Sequence, residues 1–267
     1  MRDTRVSDAF RWVTVGSREY LECAPLAARA RHLFSTRQLE LPADLAVRRV
    51  NLDLFAGDLG VDPASLARAR QVHGHAVLVV DDGPRPQELQ DADAIVTSLR
   101  GTACAVQVAD CVPILLAGGS VVRRFEGSAR TAQTVGAVHA GWRGTAAGIA
   151  SEAVRALARL GADPSTLVAA IGPSIRACCY QVDARVRDAF AAATTWPAAE
   201  SAFTADGPGH WRLDVAAVNR RLLEDAGLQP RNIFDSGLCT ACDLKRFYSY
   251  RAERAGTGRL VAGIVAS

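Results

Sequence analysis

Short apolar runs separated by turn residues fill the middle of the chain and constrain its fold more than any other feature. Strands are predicted over residues 76–80, 103–108, 112–116 and 135–138, where each run holds only four to six residues. Runs of this length, closed by turn residues, are typical of buried strands. Between the last two runs, residues 121–133 are predicted to form an exposed loop or hairpin insert. The centre of the chain is therefore predicted to be rich in β-sheet.

Helical patterns and further strands surround this centre. Helices are predicted over 44–59, 144–160, 183–193 and 213–226, with a shorter one from the Asp62-Pro63 cap to residue 70, and strands over 167–171, 247–251 and 259–265. No internal repeat and no long polar linker divides the 267 residues, a length that one hydrophobic core can still serve. We predict one α+β domain over residues 1–267, with a mixed, sandwich-like sheet flanked by helices.

Charge and composition exclude several classes of function. The net charge is only +3 and the basic residues are spread along the chain, so nucleic acid is not an expected partner. Lys245 is the only lysine, which leaves no Walker-type phosphate loop. Neither a secretory signal nor an apolar span of about 20 residues is visible. We therefore expect a cytoplasmic protein without membrane association, whose oligomeric state the sequence does not indicate.

Three residues that can bind a transition metal stand at ends of predicted strands: His73, Cys111 and His139. Two imidazoles and one thiolate suit zinc, and three protein ligands leave a fourth position open for substrate or water. Taken singly, however, such histidines and cysteines are more often structural, and their separations match no compact zinc-finger spacing. From the residues alone, both interpretations stay open.

The other cysteines give weaker signals. Seven is an odd number and Cys178 and Cys179 are adjacent, so reduced thiols are expected rather than a disulfide framework. Cys239 and Cys242 form a C-x-x-C pair that could belong to a structural zinc module or to redox chemistry. Because no second C-x-x-C exists, we interpret both pairs as structural cysteines.

Eight short motifs occur in an order that resembles one known family. They are QVHG (71–74), DADAIVT (91–97), ADCVPILL (109–116), VHAGWRGTAAGI (138–149), IGPSIRACCYQV (171–182), CT (239–240), FYSYR (247–251) and TGR (257–259). Together they resemble the bacterial polyphenol oxidase or "laccase domain" family, regarded as zinc-dependent purine nucleoside phosphorylases. The resemblance covers about residues 71–265. The N-terminal third departs from the family pattern, because Thr36-Arg37 is followed by Gln38-Leu39-Glu40 instead of a Gly-Gly-Val-Ser segment.

The resemblance implies a fold, a cofactor and an activity. The fold would be similar to the cytotoxic-necrotizing-factor-like putative cysteine hydrolases. Zinc, with copper as the alternative, would be bound by His73, Cys111 and His139. The implied reaction is phosphorolysis of adenosine, inosine and methylthioadenosine, with some adenosine deamination. A purine nucleoside and phosphate would then be the partners of the site.

Five further residues are candidates for catalysis or substrate binding. Arg143, in the strand-to-helix turn 141–144, could bind phosphate bidentately beside the helix N-terminus, or could pair with a carboxylate. Asp110 and Asp93 could move protons during deamination, or could orient a histidine ligand. Gln71 and Arg37 are predicted to line the substrate pocket.

Two rival chemistries use the same residues. Cys111 could be a nucleophile activated by His139 or His73, in an amide hydrolase that edits peptidoglycan precursors. Copper-dependent polyphenol oxidation would use the cluster as a copper site. A multicopper enzyme needs more histidines than the five present, and Met1 is the only methionine that could be an axial ligand.

Overall fold

Strands dominate the computed structural model, which describes residues 6–42, 45–83, 88–125, 128–254 and 256–267. The strands are β1 (Phe10–Val15), β2 (Arg18–Cys23), β3 (His32–Ser35), β4 (Leu66–Ala67), β5 (Val77–Val80), β6 (Ala94–Thr97), β7 (Ala103–Val108), β8 (Val112–Phe125), β9 (Ser128–Ala140), β10 (Val168–Ile171), β11 (Gln181–Asp183), β12 (Phe203–Ala205), β13 (His210–Leu213), β14 (Ile233–Asp235) and β15 (Leu260–Val265). The helices are α1 (Ala24–Ala27), α2 (Leu45–Asp58), α3 (Trp142–Ala146), α4 (Ile149–Arg159), α5 (Ala184–Ala191), α6 (Trp196–Ala199), α7 (Val215–Asp225) and α8 (Tyr250–Glu253).

These strands form two six-stranded sheets and one three-stranded sheet. The first sheet has the order β1-β2-β3-β15-β7-β4, the second β14-β10-β8-β9-β6-β5, and the small third sheet β11-β13-β12. Most neighbours are antiparallel, but β4–β7, β5–β6 and β10–β14 run parallel. The predicted mixed, sandwich-like α+β fold is therefore confirmed, whereas the likeness to the toxin-type hydrolase fold stays a prediction.

Alternation along the central strands determines how the layers pack. In β7, Cys104 and Val106 face the second sheet, while Ala103 and Ala105 face the opposite side, where helix α2 packs. In β8, Leu115 faces the first sheet, whereas its neighbours face the layer containing helices α4 and α7. Each large apolar side chain buried in this way stabilises the fold by about 1.5–3 kcal/mol. The result is four layers, in the order helix, sheet, sheet, helices.

Helix α2 lies close to the first sheet because a glycine stands beneath it. An added Cβ at Gly263 of β15 would come within 2.7 Å of the Phe55 ring and 2.9 Å of Leu59. Phe55 of α2 and Leu59, the residue that follows the helix, are both fully buried. The first strands of the chain, β1–β3, complete the same sheet, and the sequence analysis did not predict them.

Most of the predicted helices and strands are observed. The helices predicted over 44–59, 183–193 and 213–226 and the strands over 103–108, 167–171 and 259–265 correspond to α2, α5, α7, β7, β10 and β15, although Asp44 lies outside the described residues. The predicted helix 144–160 is two helices, because Gly148 adopts φ 80 between them. No described helix has the length and apolar character needed to cross a membrane.

Two local predictions are wrong, and a third is narrowed to one of its two alternatives. The expected helix up to residue 70 is a single 3-10 turn, Pro63–Ser65, followed by β4. The expected strand 247–251 is not formed: residues 247–249 have no regular structure, and helix α8 follows because the Ser249 side chain accepts a hydrogen bond from the Ala252 backbone N–H and begins the helix. Of the two alternatives for residues 121–133, an exposed loop or a hairpin insert, the hairpin is observed, because β8 and β9 continue as a paired ribbon as far as Phe125 and Ser128. Such a ribbon is held by backbone hydrogen bonds and needs no apolar alternation.

Candidate metal centre and active site

Two paired strands and one loop bring three potential metal ligands together. Cys111 directly precedes β8, and His139 lies near the end of β9, opposite Pro113. His73 lies in the loop before β5, and its ring stands edge-on to that of His139 with the centroids 4.9 Å apart. The ligand atoms of all three residues lie within 4.8 Å of one another. This arrangement fits one ion held by two imidazoles and a thiolate, with a further coordination position open.

Asp93 fixes the orientation of His139. Its side chain is fully buried, and Oδ1 lies 2.8 Å from His139 Nδ1. Burial alone would raise the pKa of Asp93, but His139 and the backbone N–H groups of Gly74 and His73 hold it below its ordinary value. Asp93 is therefore a carboxylate, which can only accept, so Nδ1 carries the hydrogen and Nε2 is left for a metal.

The same carboxylate shapes the loop that carries His73. The backbone N–H groups of Val72, His73 and Gly74 all donate to Asp93, at 3.2, 2.9 and 2.7 Å. His73 adopts φ 60, a left-handed conformation that non-glycine residues rarely occupy. Three converging N–H groups around one buried anion offset the cost of that conformation. Asp93 thus positions two of the three cluster residues.

Charges within the cluster favour a thiolate. Burial alone would raise the pKa of Cys111, but His139 and His73 lower it to about 6. Burial alone would lower the pKa of His139, but Cys111 and Asp93 raise it to about 9. The thiol is therefore already poised to lose its proton, as a metal ligand or a nucleophile must.

Two glycines let the neighbouring segments approach the cluster. An added Cβ at Gly141 would lie 3.1 Å from His73 Cδ2 and 3.2 Å from Cys111 Sγ. At Gly144 it would lie 2.6 Å from the carbonyl oxygen of Gly74. The glycines of the VHAGWRG motif are therefore required by packing against the His73 loop.

Asp110 connects the cluster to two loops from the other end of the chain. Its carboxylate accepts hydrogen bonds from Thr240 Oγ1 at 2.7 Å and from the Arg251 backbone N–H at 2.6 Å. Its carbonyl accepts from Ile175 N, and its own φ is 82. Unlike Asp93, it makes no described contact with a cluster histidine, so the alternative role of orienting a histidine is not observed for Asp110.

A cavity of about 720 Å³ opens beside the cluster and is strongly basic. Asp110 is the only acidic residue among its described lining residues. The basic ones are Arg48, Arg49, Arg68, Arg70, Arg143, Arg251, Arg254 and Arg259. Apolar and aromatic side chains such as Trp142 and Tyr180 complete the wall. The cavity can therefore accommodate a ligand with an anionic part and a flat apolar part.

The three expected pocket residues lie in different places. Arg143 lines the cavity, with its guanidinium 4.4 Å from the centroid of the Trp142 ring. Gln71 also lines it, but its side-chain amide is engaged with the Gln107 backbone at 2.7 and 2.8 Å. Arg37 is absent from the described lining and pairs with Glu253 at 2.9 Å. Of these three residues, only Arg143 therefore offers a cavity-lining side chain with no described hydrogen bond to the protein.

Several cavity residues were given no role from the sequence, although Tyr180 and Arg251 lie inside the motifs at 171–182 and 247–251. Tyr180 and Arg251 stand beside the cluster, and burial followed by the Cys111 charge raises the pKa of Tyr180 to about 12. The eight cavity arginines come from five separate places in the chain, at 48–49, 68–70, 143, 251–254 and 259. Only consecutive charged residues are recognisable in a sequence, so a basic patch that folding assembles from distant residues is missed.

Comparison with known proteins agrees with this architecture. The family model for multi-copper polyphenol oxidoreductase laccase matches residues 43–267. Purine nucleoside phosphorylase SCO2081 of Streptomyces coelicolor is 42% identical over 217 residues, 80% of this chain and 80% of that protein. Adenosine deaminase RL5 from an unknown prokaryotic organism is 33% identical over 253 residues, 86% of this chain and 92% of that protein. The structure of YlmD from Geobacillus stearothermophilus matches with a TM-score of 0.80 and 30% identity, covering 97% and 99% of the two chains.

The fold is thus that of the YlmD-type structures, which have the same sandwich over almost their whole length. The chain belongs to the multi-copper polyphenol oxidoreductase laccase family. The resemblance carried by the sequence motifs is confirmed.

Proposed function

We propose that the chain is a zinc-dependent purine nucleoside phosphorylase acting on adenosine, inosine and methylthioadenosine, with adenosine deamination as a side activity. The observation that carries this proposal is the basic cavity of about 720 Å³ that opens directly onto His73, Cys111 and His139. A cleft lined by positive charge concentrates anionic substrates such as phosphate. Relatives named purine nucleoside phosphorylase and adenosine deaminase support the same assignment.

Arg143 is the proposed phosphate ligand. Its side chain is exposed within the cavity lining, and no acidic group among the described residues lies within ion-pair distance of it. The stacked Trp142 ring holds the guanidinium plane, which preserves its two parallel N–H donors for a bidentate contact. Helix α3 has only five residues, so the arginine rather than the helix dipole supplies most of the attraction.

The remaining cavity residues suit a nucleoside. Tyr180 and Tyr250 offer aromatic surfaces for a purine ring, and half of the Tyr250 surface, 53%, is exposed. In phosphorolysis a phosphate oxygen forms a bond to C1′ of the ribose while the bond from C1′ to the purine nitrogen breaks. The departing purine takes the bonding electrons, and the surrounding guanidinium groups stabilise that charge. A metal ion in the cluster would act as a Lewis acid towards the group that meets its open position.

For deamination, Asp110 is the carboxylate that we propose to move protons. It lines the cavity, whereas Asp93 is fully buried and occupied by His139 and three backbone N–H groups. We therefore assign Asp93 to positioning and not to proton transfer. Water replaces phosphate as the second substrate in this side reaction.

Product analysis tests the proposal directly. Adenosine should give adenine and ribose 1-phosphate only when phosphate is present, and inosine slowly when it is absent. Arg143→Ala should raise the KM for phosphate by about ten- to a hundred-fold, the usual effect of removing a hydrogen-bonded charge. Arg155→Ala is the matched control, because Arg155 is exposed on α4 and pairs only locally with Glu152. An unchanged KM in Arg143→Ala would refute the phosphate role.

A second candidate function is a cysteine-nucleophile or metal-assisted amide hydrolase that edits peptidoglycan precursors. The lowered pKa of Cys111, about 6, beside an imidazole favours it, since this pairing also activates thiol nucleophiles. A chelated, metal-free enzyme that keeps amide hydrolysis and has no phosphorolysis would establish the cysteine-nucleophile form, whereas amide hydrolysis that is lost on chelation and restored by zinc would establish the metal-assisted form. Copper-dependent polyphenol oxidation is the weaker proposal, because the cluster offers three ligands to one ion only.

A further inference from the structure

Four cysteines that the sequence analysis treated as two structural pairs form one cluster. Cys178 and Cys179 lie between β10 and β11, and Cys239 and Cys242 lie after β14. Their four sulfur atoms all lie within 4.8 Å of one another. None of the four is among the described residues that line the basic cavity. The cluster is therefore separate from the His73, Cys111 and His139 site.

The spacing of the sulfurs matches a single tetrahedral ion. The Sγ–Sγ distances are 3.8 Å between Cys178 and Cys179, 3.6 Å between Cys178 and Cys242, and 3.3 Å between Cys179 and Cys242. Tetrahedral zinc with Zn–S bonds of about 2.3 Å places its sulfurs about 3.8 Å apart. A disulfide would require about 2.05 Å, and all seven cysteines are thiols in the structure.

The backbone fixes the two cysteine loops against each other. Parallel pairing of β10 with β14 continues into a bridge between Ser174 and Cys239. The Cys242 N–H donates to the Cys239 carbonyl at 3.2 Å, which makes the C-x-x-C segment a turn with both sulfurs on one side. The sulfurs are therefore brought together by the fold and not only by side-chain rotation.

We propose that Cys178, Cys179, Cys239 and Cys242 bind one zinc ion as a structural tetrathiolate site. Four thiolates fill the tetrahedral shell and leave no open position for substrate, which is the property of structural sites. Four thiols gathered without a cation would gain only weak hydrogen bonds, whereas a divalent ion offsets the repulsion between thiolates. Cys178 is exposed, so an ion can enter from solvent.

The site would brace one wall of the basic cavity. Arg251 Nη1 donates to the carbonyls of Cys179 and Gln181, at 3.4 and 3.0 Å. Thr240, next to Cys239, donates to Asp110. The ion would thus hold in register the loops that carry Tyr180, Arg251 and the support of Asp110. This inference does not depend on which reaction the cavity performs.

Metal analysis of protein purified under reducing conditions tests the site. Wild type should contain about two zinc ions per chain. The double variant Cys178→Ser/Cys242→Ser should contain about one and retain the ion at His73, Cys111 and His139. Cys111→Ser should also contain about one, and the triple variant close to none. Cys104→Ala, a buried cysteine outside both clusters, is the control and should keep about two.

A second measurement on wild type covers the case in which the variants do not fold. Replacement of zinc by cobalt should give a thiolate-to-cobalt charge-transfer band several times stronger than Cys111 alone could give. The proposal is overturned if wild type holds only one ion that Cys111→Ser removes, or if the cobalt band corresponds to one thiolate. It is equally overturned if the mass of the unreduced protein reveals a disulfide within the cluster. Loss of phosphorolysis with two ions retained would count against the proposed function only.

Discussion

The two cysteine-containing clusters are built in opposite ways. Cys111 and His139 stand on adjacent, paired strands, and a fully buried carboxylate, Asp93, orients the histidine. The four-cysteine cluster stands on two loops beyond the ends of parallel strands, with Cys178 exposed. The first combines different ligands and lines the basic cavity, whereas the second has four identical ligands that lie outside the described lining of that cavity. The comparison teaches that thiolates serve substrate binding or structural support according to what surrounds them.

The largest predicted difference is in catalytic activity, between a variant that lacks one thiolate of the cavity cluster and a variant that lacks one thiolate of the four-cysteine cluster. Cys111→Ser should lower kcat/KM for adenosine phosphorolysis at least about a thousand-fold, equivalent to about 4 kcal/mol of transition-state stabilisation. Cys178→Ser should leave more than about a tenth of the activity but lower the melting temperature. Steady-state kinetics and calorimetry on both variants measure this. Equal activity losses would mean that the two clusters share one function.

The next largest effect is a loss of stability and zinc affinity when the close contact between helix α3 and the His73 loop is disturbed. Gly144→Ala places a Cβ 2.6 Å from the Gly74 carbonyl, so the backbone must move, at a cost of about 1–3 kcal/mol. The free energy of unfolding should fall by that amount and zinc affinity at the cavity should fall with it. Gly57→Ala, in helix α2 with no atom within 4 Å of the added Cβ, is the control and should be neutral or stabilising. Similar denaturation midpoints for both variants would contradict this account.

The positioning role of Asp93 can be tested by measuring the affinity of the cavity cluster for zinc. Asp93→Asn should weaken zinc binding at the cavity by about 10- to 100-fold, the usual cost of losing a carboxylate behind a histidine ligand. The four-cysteine cluster should keep its affinity. Asp91→Asn, which removes an exposed partner of Arg70, is the matched control. Competition with a chelator of known affinity gives both constants, and a loss in both clusters would show general unfolding instead.

The smallest predicted effect comes from comparing two buried histidines, His139 and His32, whose pKa values are shifted in opposite directions. The charges of Cys111 and Asp93 raise the pKa of His139, whereas burial lowers the pKa of His32. His32 Nε2 accepts from the Cys23 N–H and Nδ1 donates to the Ala30 carbonyl, so the ring is neutral. Because the unfolded chain binds a proton more readily, stability should fall as pH drops below the ordinary histidine value of about 6.5.

The expected contribution of His32 is at most about 1.4 kcal/mol per pH unit in that range. Urea denaturation of wild type and His32→Asn at pH 7 and pH 5.5 isolates it. The variant should lose less stability between the two pH values than wild type does. An identical loss in both proteins would show that carboxylates elsewhere cause the acid sensitivity.

The family resemblance implied the cavity cluster, whereas nothing in the sequence indicated the four-cysteine cluster, and the difference has a physical reason. His73, Cys111 and His139 stand inside specific motifs at the ends of strongly apolar strands, so their convergence at one sheet edge could be expected. Cys178 and Cys242 approach only because β10 pairs with β14 in parallel, and no local pattern encodes which strands pair. The arginine-lined cavity escaped detection for the same reason.

Secondary structure was predictable where side chains alternate between two buried layers. Strand β7 is an example, because each of its faces meets a different apolar layer. Strands β1 and β2 carry exposed or half-exposed polar residues on both faces, Arg11 and Glu22 on one and Thr14 and Glu19 on the other. Their alternation is therefore weak, and they were missed. The ribbon of β8 and β9 beyond Ser120 is stabilised by backbone pairing. The hydrophobic pattern of a sequence does not indicate such pairing.

The left-handed backbone at His73 restricts how this centre could be redesigned for another metal. At φ 60 the position accepts Asn, Asp or Gly with little strain, but not a β-branched side chain. An aspartate could therefore replace the histidine and harden the ligand set towards oxygen-preferring ions such as Mn²⁺, with the backbone unchanged. The loop conformation thus sets the range of metals that an engineer could introduce by a single substitution here.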